Sequence, residues 1–202
     1  MNKYLFPAIA LALAIASAPV DARNKPTRSG SGLMMPKANG GGIAAGSETT
    51  TGTRGGVTRR GQASSDGQGN VRGSSSAVYT GVNGGSGNRS GKFQRNADGS
   101  FSRSGNASGV GANGGTGTTS GSIAGDGQGN VNGSRRTSLH GANGGSYNGQ
   151  TTGAAGSGIT HTSDGTTASG TNYDASTTVT QEGAQHNATC TNVAGEAVAC
   201  RK

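Results

Sequence analysis

Large apolar side chains are sparse along this chain, and several of them recur at an interval of 30 residues. Val71, Phe101 and Val131 are separated by this interval, and a glycine stands two positions before each of them. The same shift aligns Phe93 with Ile123. Apolar residues recur in phase when each copy is one structural unit stacked on its neighbour. We therefore predict that Val71, Phe101 and Val131 form one buried row across successive units.

Turn-forming sequences recur with the same spacing. The Asn-Gly-Gly motif begins at Asn83, Asn113 and Asn143, and an Asp-Gly pair lies about half an interval away. Asn-Gly and Asp-Gly supply the positive φ angles that tight turns require. Each unit is therefore predicted to consist of two extended arms with turns at both ends. The predicted repeat turns are Asn83-Gly84, Asn113-Gly114 and Asn143-Gly144.

The arms between the turns favour β-structure. Segments such as residues 70–82 and 166–181 are rich in Ser, Thr and β-branched residues, whereas strong helix formers are scarce. Glycine costs about 1 kcal/mol in a helix interior, which disfavours helices further. The sequence thus predicts an all-β, glycine-rich repeat array, either a β-solenoid or an antiparallel meander. The alternative is a largely disordered low-complexity chain.

The composition argues against a conventional globular core. The chain has 41 glycines in 202 residues, 3% aromatic residues and no tryptophan. Ordering each backbone unit costs about 1–2 kcal/mol, and few large side chains are present whose burial could offset that cost. Order in this chain must therefore come mainly from repeated backbone hydrogen bonds with a thin row of apolar side chains.

The first 22 residues have the pattern of a secretory signal peptide. Lys3 precedes an uncharged apolar run from Leu5 to Ile15, and small residues follow. Cleavage is compatible with Ala18 or Ala22, and Ala22 is preferred because Pro19 would follow the first site. The run is shorter than the roughly 20 residues needed to span a bilayer. These features predict a secreted, periplasmic or cell-surface protein with no transmembrane segment after cleavage.

The remainder divides into three regions by composition. Residues 23–60 contain Pro26, Pro36 and glycine-rich runs without repeat phase, and are predicted to form a basic, flexible and disordered leader. Residues 61–157 hold the Gly/Asn/Ser-rich β-repeats. Residues 158–202 form a Thr-rich C-terminal region.

Cys190 and Cys200 are the two cysteines of the chain. An exported protein with two cysteines is expected to form a disulfide. A hairpin centred on Gly195 places the two residues opposite each other, so the bridge is predicted to staple the C-terminal end. A metal site that combines His186 with the two cysteines is the alternative, but a fourth ligand is not evident.

Positive charge is concentrated near the front of the chain. Residues 23–60 contain seven basic residues and one acidic residue, and the whole chain has a net charge of +8. Such a leader suits anionic polymers such as acidic polysaccharide, lipopolysaccharide or DNA. Arg54, Arg59 and Arg60 are the predicted contacts. With so few aromatic residues, no specific nucleic-acid recognition is expected.

The sequence shows no catalytic constellation. The three histidines lie outside any recognisable nucleophile pattern, and no cofactor is implied; they are His140, His161 and His186. Asp66 and Asp126 open Asp-Gly-x-Gly-Asn segments, which raise the alternative of calcium binding. Each unit offers about one carboxylate, whereas calcium needs several convergent oxygen ligands, so a turn-forming role is preferred and no metal site is predicted.

These observations predict a secreted, non-enzymatic repeat protein with a structural or surface-interaction role in the cell envelope or extracellular matrix. In composition it is similar in kind to glycine-, asparagine- and serine-rich extracellular β-repeat proteins. Its expected partners are copies of itself, through β-edge stacking, or an anionic surface polymer. The alternative function is a soluble extracellular binding protein that captures anionic polymers through its basic leader.

Overall fold

The computed structural model describes residues 26–200, which form twelve β-strands in a single sheet. The strand order follows the sequence from β1 to β12, and each strand pairs antiparallel with the next. The strands are β1 (Thr27–Pro36), β2 (Gly42–Gly52), β3 (Gly55–Ser65), β4 (Val71–Gly81), β5 (Ser86–Arg95), β6 (Phe101–Val110), β7 (Thr116–Gly125), β8 (Val131–His140), β9 (Ser146–Ala154), β10 (Gly158–Thr166), β11 (Asn172–Thr180) and β12 (Gly183–Thr191). Of the two architectures predicted, the structure is therefore the antiparallel meander and not the β-solenoid.

The Asn-Gly-Gly motifs lie in the turns at one end of the sheet. In the turn between β4 and β5, the Gly84 N–H donates to the Gly81 carbonyl at 3.3 Å, and the Gly81 N–H donates to the Gly85 carbonyl at 2.7 Å. Gly84 has φ +84°, and the equivalent Gly114 and Gly144 have φ +85° and +87°. This is a type I turn closed by a left-handed glycine, which matches the right-handed twist of the flanking strands. Asn83, Asn113 and Asn143 precede these glycines in the same turns.

The Asp-Gly segments form turns at the opposite end of the sheet. One carboxylate oxygen of Asp66 accepts the Gln68 N–H at 2.7 Å and the Asn70 N–H at 3.2 Å, and Asp126 repeats the arrangement with Gln128 and Asn130. The side-chain hydrogen bond from Asn70, followed by the Gln68 N–H, lowers the pKa of Asp66. The carboxylates therefore order the turns by satisfying backbone donors.

The expectation of a disordered leader over residues 23–60 is wrong for residues 26–60, while the predicted signal peptide and residues 23–25 lie outside the described residues. Residues 27–52 form β1 and β2, and β3 begins at Gly55 inside the same region. Small residues are frequent in these strands, and the strands pair along their full length, for example Gly46 with Gly61. Pro36 is tolerated because it lies at the end of an edge strand.

The sheet has two chemically distinct faces, since successive side chains alternate and directly paired residues share a face. On β4, one face carries Val71, Gly73, Ser75, Ala77 and Tyr79, and the intervening positions are mostly Ser, Thr and Arg. Following the register across all strands extends the first face into one rich in glycine, apolar and aromatic residues, which we call the glycine face. The other side, rich in serine, threonine and asparagine, is the hydroxyl face.

No second layer of residues 26–200 covers either face. Within that range Ala77, with 2% of its surface exposed, is the one buried apolar side chain. Val71, Phe101 and Val131 are half-buried, not fully buried as expected. They do lie in one row of the glycine face, where Arg95 and Gly125 separate them on the intervening strands.

Cys190 and Cys200 form a disulfide with a Cα–Cα distance of 5.3 Å. The pairing register of the terminal hairpin differs from the expected one, because Thr191 pairs with Ala197 and the Val198 N–H donates to the Cys190 carbonyl. The reason is the turn at residues 192–196, in which Gly195 is left-handed in the fourth position and not at the centre. The bridge therefore ties a short tail to the outer side of β12.

Candidate functional site

A row of small residues crosses the middle of the glycine face at right angles to the strands. Each member pairs directly with the next, from β1 to β7, over six inter-strand spacings or roughly 29 Å. We call this row the glycine trough, and its members are Gly32, Gly46, Gly61, Ser75, Gly91, Gly105 and Gly121. The trough is a shallow channel whose floor is backbone.

The floor of the trough is open. A Cβ added to Gly61, Gly91 or Gly105 would have only backbone atoms within 4 Å, apart from the Ser75 hydroxyl. These glycines have no positive φ, so no turn geometry requires them. Because every member of the row is small, the row forms a recess on the face.

Elsewhere on this face, large side chains lie flat over glycines of the neighbouring strand. A Cβ on Gly125 would overlap the ring of Phe101, and one on Gly73 would overlap the ring of Phe93. Leu139 covers Gly117 in the same way, at 2.9 Å from the position of an added Cβ. Glycine thus allows a ring or branched side chain to contact the backbone of a one-layer sheet, which offsets part of the missing core.

Arginines border the glycine trough. Arg59 and Arg89 lie in the adjacent row on one side, and Arg103 lies in the adjacent row on the other. Arg135 closes the trough, because it pairs directly with Gly121. The guanidinium of Arg89 lies 5.9 Å from the centroid of the Tyr79 ring, within cation–π range.

Arg59 has one charged neighbour, and part of its guanidinium is unsatisfied. Its Nη1 lies 4.0 Å from a carboxylate oxygen of Glu48, at the limit of an ion pair. Its Nε is buried and has no hydrogen-bond partner among the described residues. A buried donor without a partner costs about 1–3 kcal/mol, so Arg59 is held in place without a full complement of acceptors.

Beyond Arg135 the same row becomes polar. Thr151, His161, Thr177 and His186 follow one another across β9 to β12. The Thr151 hydroxyl lies 2.9 Å from His161 Nδ1, and the Thr177 hydroxyl lies 2.8 Å from His186 Nδ1. His140, in contrast, lies on the hydroxyl face. The three histidines therefore do not converge on one point.

The arginines predicted to contact an anionic polymer do not form one site. Arg59 lies on the glycine face and Arg60 on the hydroxyl face, because they are consecutive residues of β3. Arg54 lies in the turn before that strand. Of the three, Arg59 alone borders the glycine trough. The arginines that sequence reasoning missed are Arg89, Arg103 and Arg135, which adjoin Arg59 only once the strand register is known.

The candidate metal sites do not assemble in the part of the chain that the structure describes. No group of three or more His, Cys, Asp or Glu side chains in residues 26–200 is close enough to hold an ion. Cys190 and Cys200 are consumed by the disulfide, so they are unavailable to His186 as thiolate ligands. The described residues also include no helix long and apolar enough to cross a membrane.

Comparison of the chain with protein-family models, with curated proteins and with solved structures found no match. The class of the protein therefore rests on its own geometry. It is an all-β protein with one open, twelve-stranded antiparallel sheet and a disulfide near its C-terminal end.

Proposed function

We propose that this chain is a secreted, non-enzymatic structural protein of the cell envelope or extracellular matrix, and that it associates with itself through the edge of β1. The observation that carries the proposal is the outer side of β1 along Thr27–Pro36, which pairs with no strand among residues 26–200. An exposed strand edge is a template for pairing with another chain. The signal-peptide pattern and the Cys190–Cys200 disulfide support an oxidising, extracytoplasmic destination.

The outward-facing groups of β1 follow from its pairing with β2. Because the Lys37 N–H donates to the Gly41 carbonyl, odd-numbered residues of β1 bond to β2 and even-numbered residues point outward. Arg28, Gly30, Gly32 and Met34 therefore present free N–H groups. Pro36, which has no N–H, falls in the same outward set, where it breaks no hydrogen bond of the sheet.

The two edges of the sheet differ. On β12 the Cys190 carbonyl already accepts the Val198 N–H, and the disulfide holds the tail against that edge. On β1 no described residue competes for the outward groups. The favoured contact is therefore β1 with β1 of a second copy, which is two-fold symmetric and closed. Centred on Gly32, this pairing joins the glycine troughs of the two copies on one side of a continuous sheet.

Sedimentation of the mature protein tests this proposal. We expect a dimer, and Gly32→Pro should yield a monomer with unchanged far-UV circular dichroism, because it removes an outward donor and leaves the β1–β2 bonds intact. The matched control is Ala184→Pro, which removes a donor on the outer side of β12 and should leave the dimer intact. A monomeric wild-type protein, or equal loss of dimer in both variants, would overturn the β1 contact.

A further inference from the structure

We propose that the glycine face binds a linear carboxylated polysaccharide, which lies along the glycine trough with its carboxylates against the bordering arginines. The residues that carry this role are Arg59, Arg89, Arg103 and Arg135. This site differs from the β1 edge, and each protomer contains it whole. It also replaces the leader as the anion-binding element, because three of the four arginines lie outside residues 23–60.

Charge identifies the sign of the partner. The strands contribute six arginines and one glutamate to the glycine face, and Glu48 is the single acid. Asp66, Asp98 and Asp126 lie in turns at the end of the sheet, away from the trough. The arginines of the face are Arg28, Arg59, Arg89, Arg95, Arg103 and Arg135. An anionic partner is complementary to this surface.

The same charge disfavours a second copy of the chain as the occupant. Stacking two glycine faces would bring six arginines of one copy against six of the other, with one glutamate on each side. Burying charges without partners costs several kcal/mol per ion. The electrostatics of the face therefore oppose a self-complementary contact.

The shape of the trough fits a single extended chain. Its floor is one residue wide, and the rows on either side are separated by about 13 Å, or two steps of two residues along a strand. Side chains of Arg59, Ala77 and Arg89 line one wall, and Phe93 and Arg103 line the other. The four arginines thus lie at successive points along the two walls and at the end of the trough, where a polymer with repeated anions can meet each of them.

The scarcity of aromatic residues favours a polysaccharide over single-stranded nucleic acid. Sequence-independent binding of single strands depends on successive bases stacking on successive rings. Phe93 is the one aromatic residue in the two rows that border the trough from β1 to β7, and the nearby Tyr79 ring is covered by Arg89. Arginine pairs well with carboxylates through its planar fork of donors.

Titration with polygalacturonate at low salt, followed by calorimetry, tests the proposal. Two consecutive arginine pairs supply a matched comparison, because Arg59 and Arg135 lie on the glycine face and Arg60 and Arg136 on the hydroxyl face. The double variant R59Q/R135Q should weaken binding about tenfold, because it removes two of the four arginines that border the trough. The control R60Q/R136Q removes the same charge and should change affinity less than about twofold.

Filling the trough provides a second, charge-neutral test. Gly61→Val and Gly91→Val add side chains where the nearest non-bonded atoms to a Cβ are 3.8 Å and 3.4 Å away, so the sheet accommodates them. Valine is favoured over glycine in strands, so each variant should be at least as stable as the wild type. The affinity of each variant for polygalacturonate should nevertheless fall at least tenfold, because the polysaccharide can no longer reach the floor of the trough.

Three results would overturn the proposal. The first is the absence of polygalacturonate binding at low salt. The second is equal weakening by the glycine-face and hydroxyl-face variants, which would reduce the interaction to net charge. The third is tighter binding of oligothymidylate than of polygalacturonate with the same dependence on Arg59 and Arg135, which would make nucleic acid the occupant. Neutral dextran should not bind in any case.

Discussion

The packing of Phe101 over Gly125 makes a sharp prediction about a single methyl group. Gly125 has no positive φ, so Gly125→Ala is compatible with its backbone conformation. In an open strand this change should stabilise the protein by roughly 0.5–1 kcal/mol, because alanine loses less backbone entropy on folding. At Gly125, however, the new Cβ would coincide with the Phe101 ring.

The change in the free energy of unfolding follows from the burial that the Phe101 ring loses. Phe101 is half-buried, and complete burial of such a side chain is worth about 1.5–3 kcal/mol, so lifting it from the backbone loses roughly 1–1.5 kcal/mol. This loss exceeds the gain from alanine on average, and we expect Gly125→Ala to lower the free energy of unfolding by about 0.5 kcal/mol. Gly61→Ala, whose Cβ has no neighbour closer than 3.8 Å, should instead raise it.

Urea unfolding followed by far-UV circular dichroism measures both variants. A double-mutant cycle with Phe101→Ala isolates the contact, since Gly125→Ala should become stabilising once the ring is gone. The coupling energy should be about 1–1.5 kcal/mol, equal to the burial lost. If Gly125→Ala and Gly61→Ala had the same effect, or if the cycle showed no coupling, the ring would not rest on the glycine.

Four further results are expected. The hydrogen bond from the Asn130 side chain, followed by the Gln128 N–H, lowers the pKa of Asp126. The stability that this carboxylate contributes is therefore present above the unfolded pKa near 3.8 and is lost as pH falls through the folded pKa. Asp126→Asn should flatten the acid limb of the stability profile. Reducing Cys190–Cys200 should cost somewhat under about 3 kcal/mol, because the closed loop is short, and thiol labelling before reduction should find no free cysteine. Gly114→Val should destabilise by about 1–3 kcal/mol through its positive φ, in contrast to Gly91→Val. Amino-terminal sequencing of the exported protein should begin at Arg23; a chain that still begins with Met1 would refute signal cleavage.

The sequence was sufficient to predict the β-class, the disulfide and the extended arms, because turn chemistry is local. Asn-Gly-Gly and Asp-Gly-x-Gly-Asn segments specify tight turns here, whereas the Asn-Gly and Asp-Gly pairs at residues 132–133, 148–149 and 164–165 lie within strands. The cysteines are few enough to leave one pairing. The pairing register of the terminal hairpin was not predicted, because it depends on the placement of Gly195 within a five-residue turn. A shift of one residue in a turn moves every pair that follows.

The leader and the two faces could not be predicted for a different reason. Proline and glycine in residues 23–60 resemble a linker, yet Pro36 occupies the outward side of an edge strand, where proline breaks no bond of the sheet. The period-two signal of the faces is weak, because glycine, serine and threonine are all small. The odd-numbered positions of β7 include Gly117, Gly121, Ile123 and Gly125, which therefore lie on one face. That alternation is the signal from which the glycine face could have been found.

The most direct test of the central claim, an antiparallel meander with this register and these two faces, is cross-linking by engineered cysteines across β6 and β7. Ser104 and Ser122 are directly paired on the hydroxyl face. Because the Gly111 N–H donates to the Gly115 carbonyl, these two serines form a pair without mutual backbone hydrogen bonds. Side chains approach each other most closely in such pairs. S104C/S122C should form a disulfide readily on mild oxidation. The offset control S104C/I123C, which places one thiol on each face, should not. Efficient cross-linking of the offset pair, or none of the matched pair, would contradict both the register and the assignment of the faces.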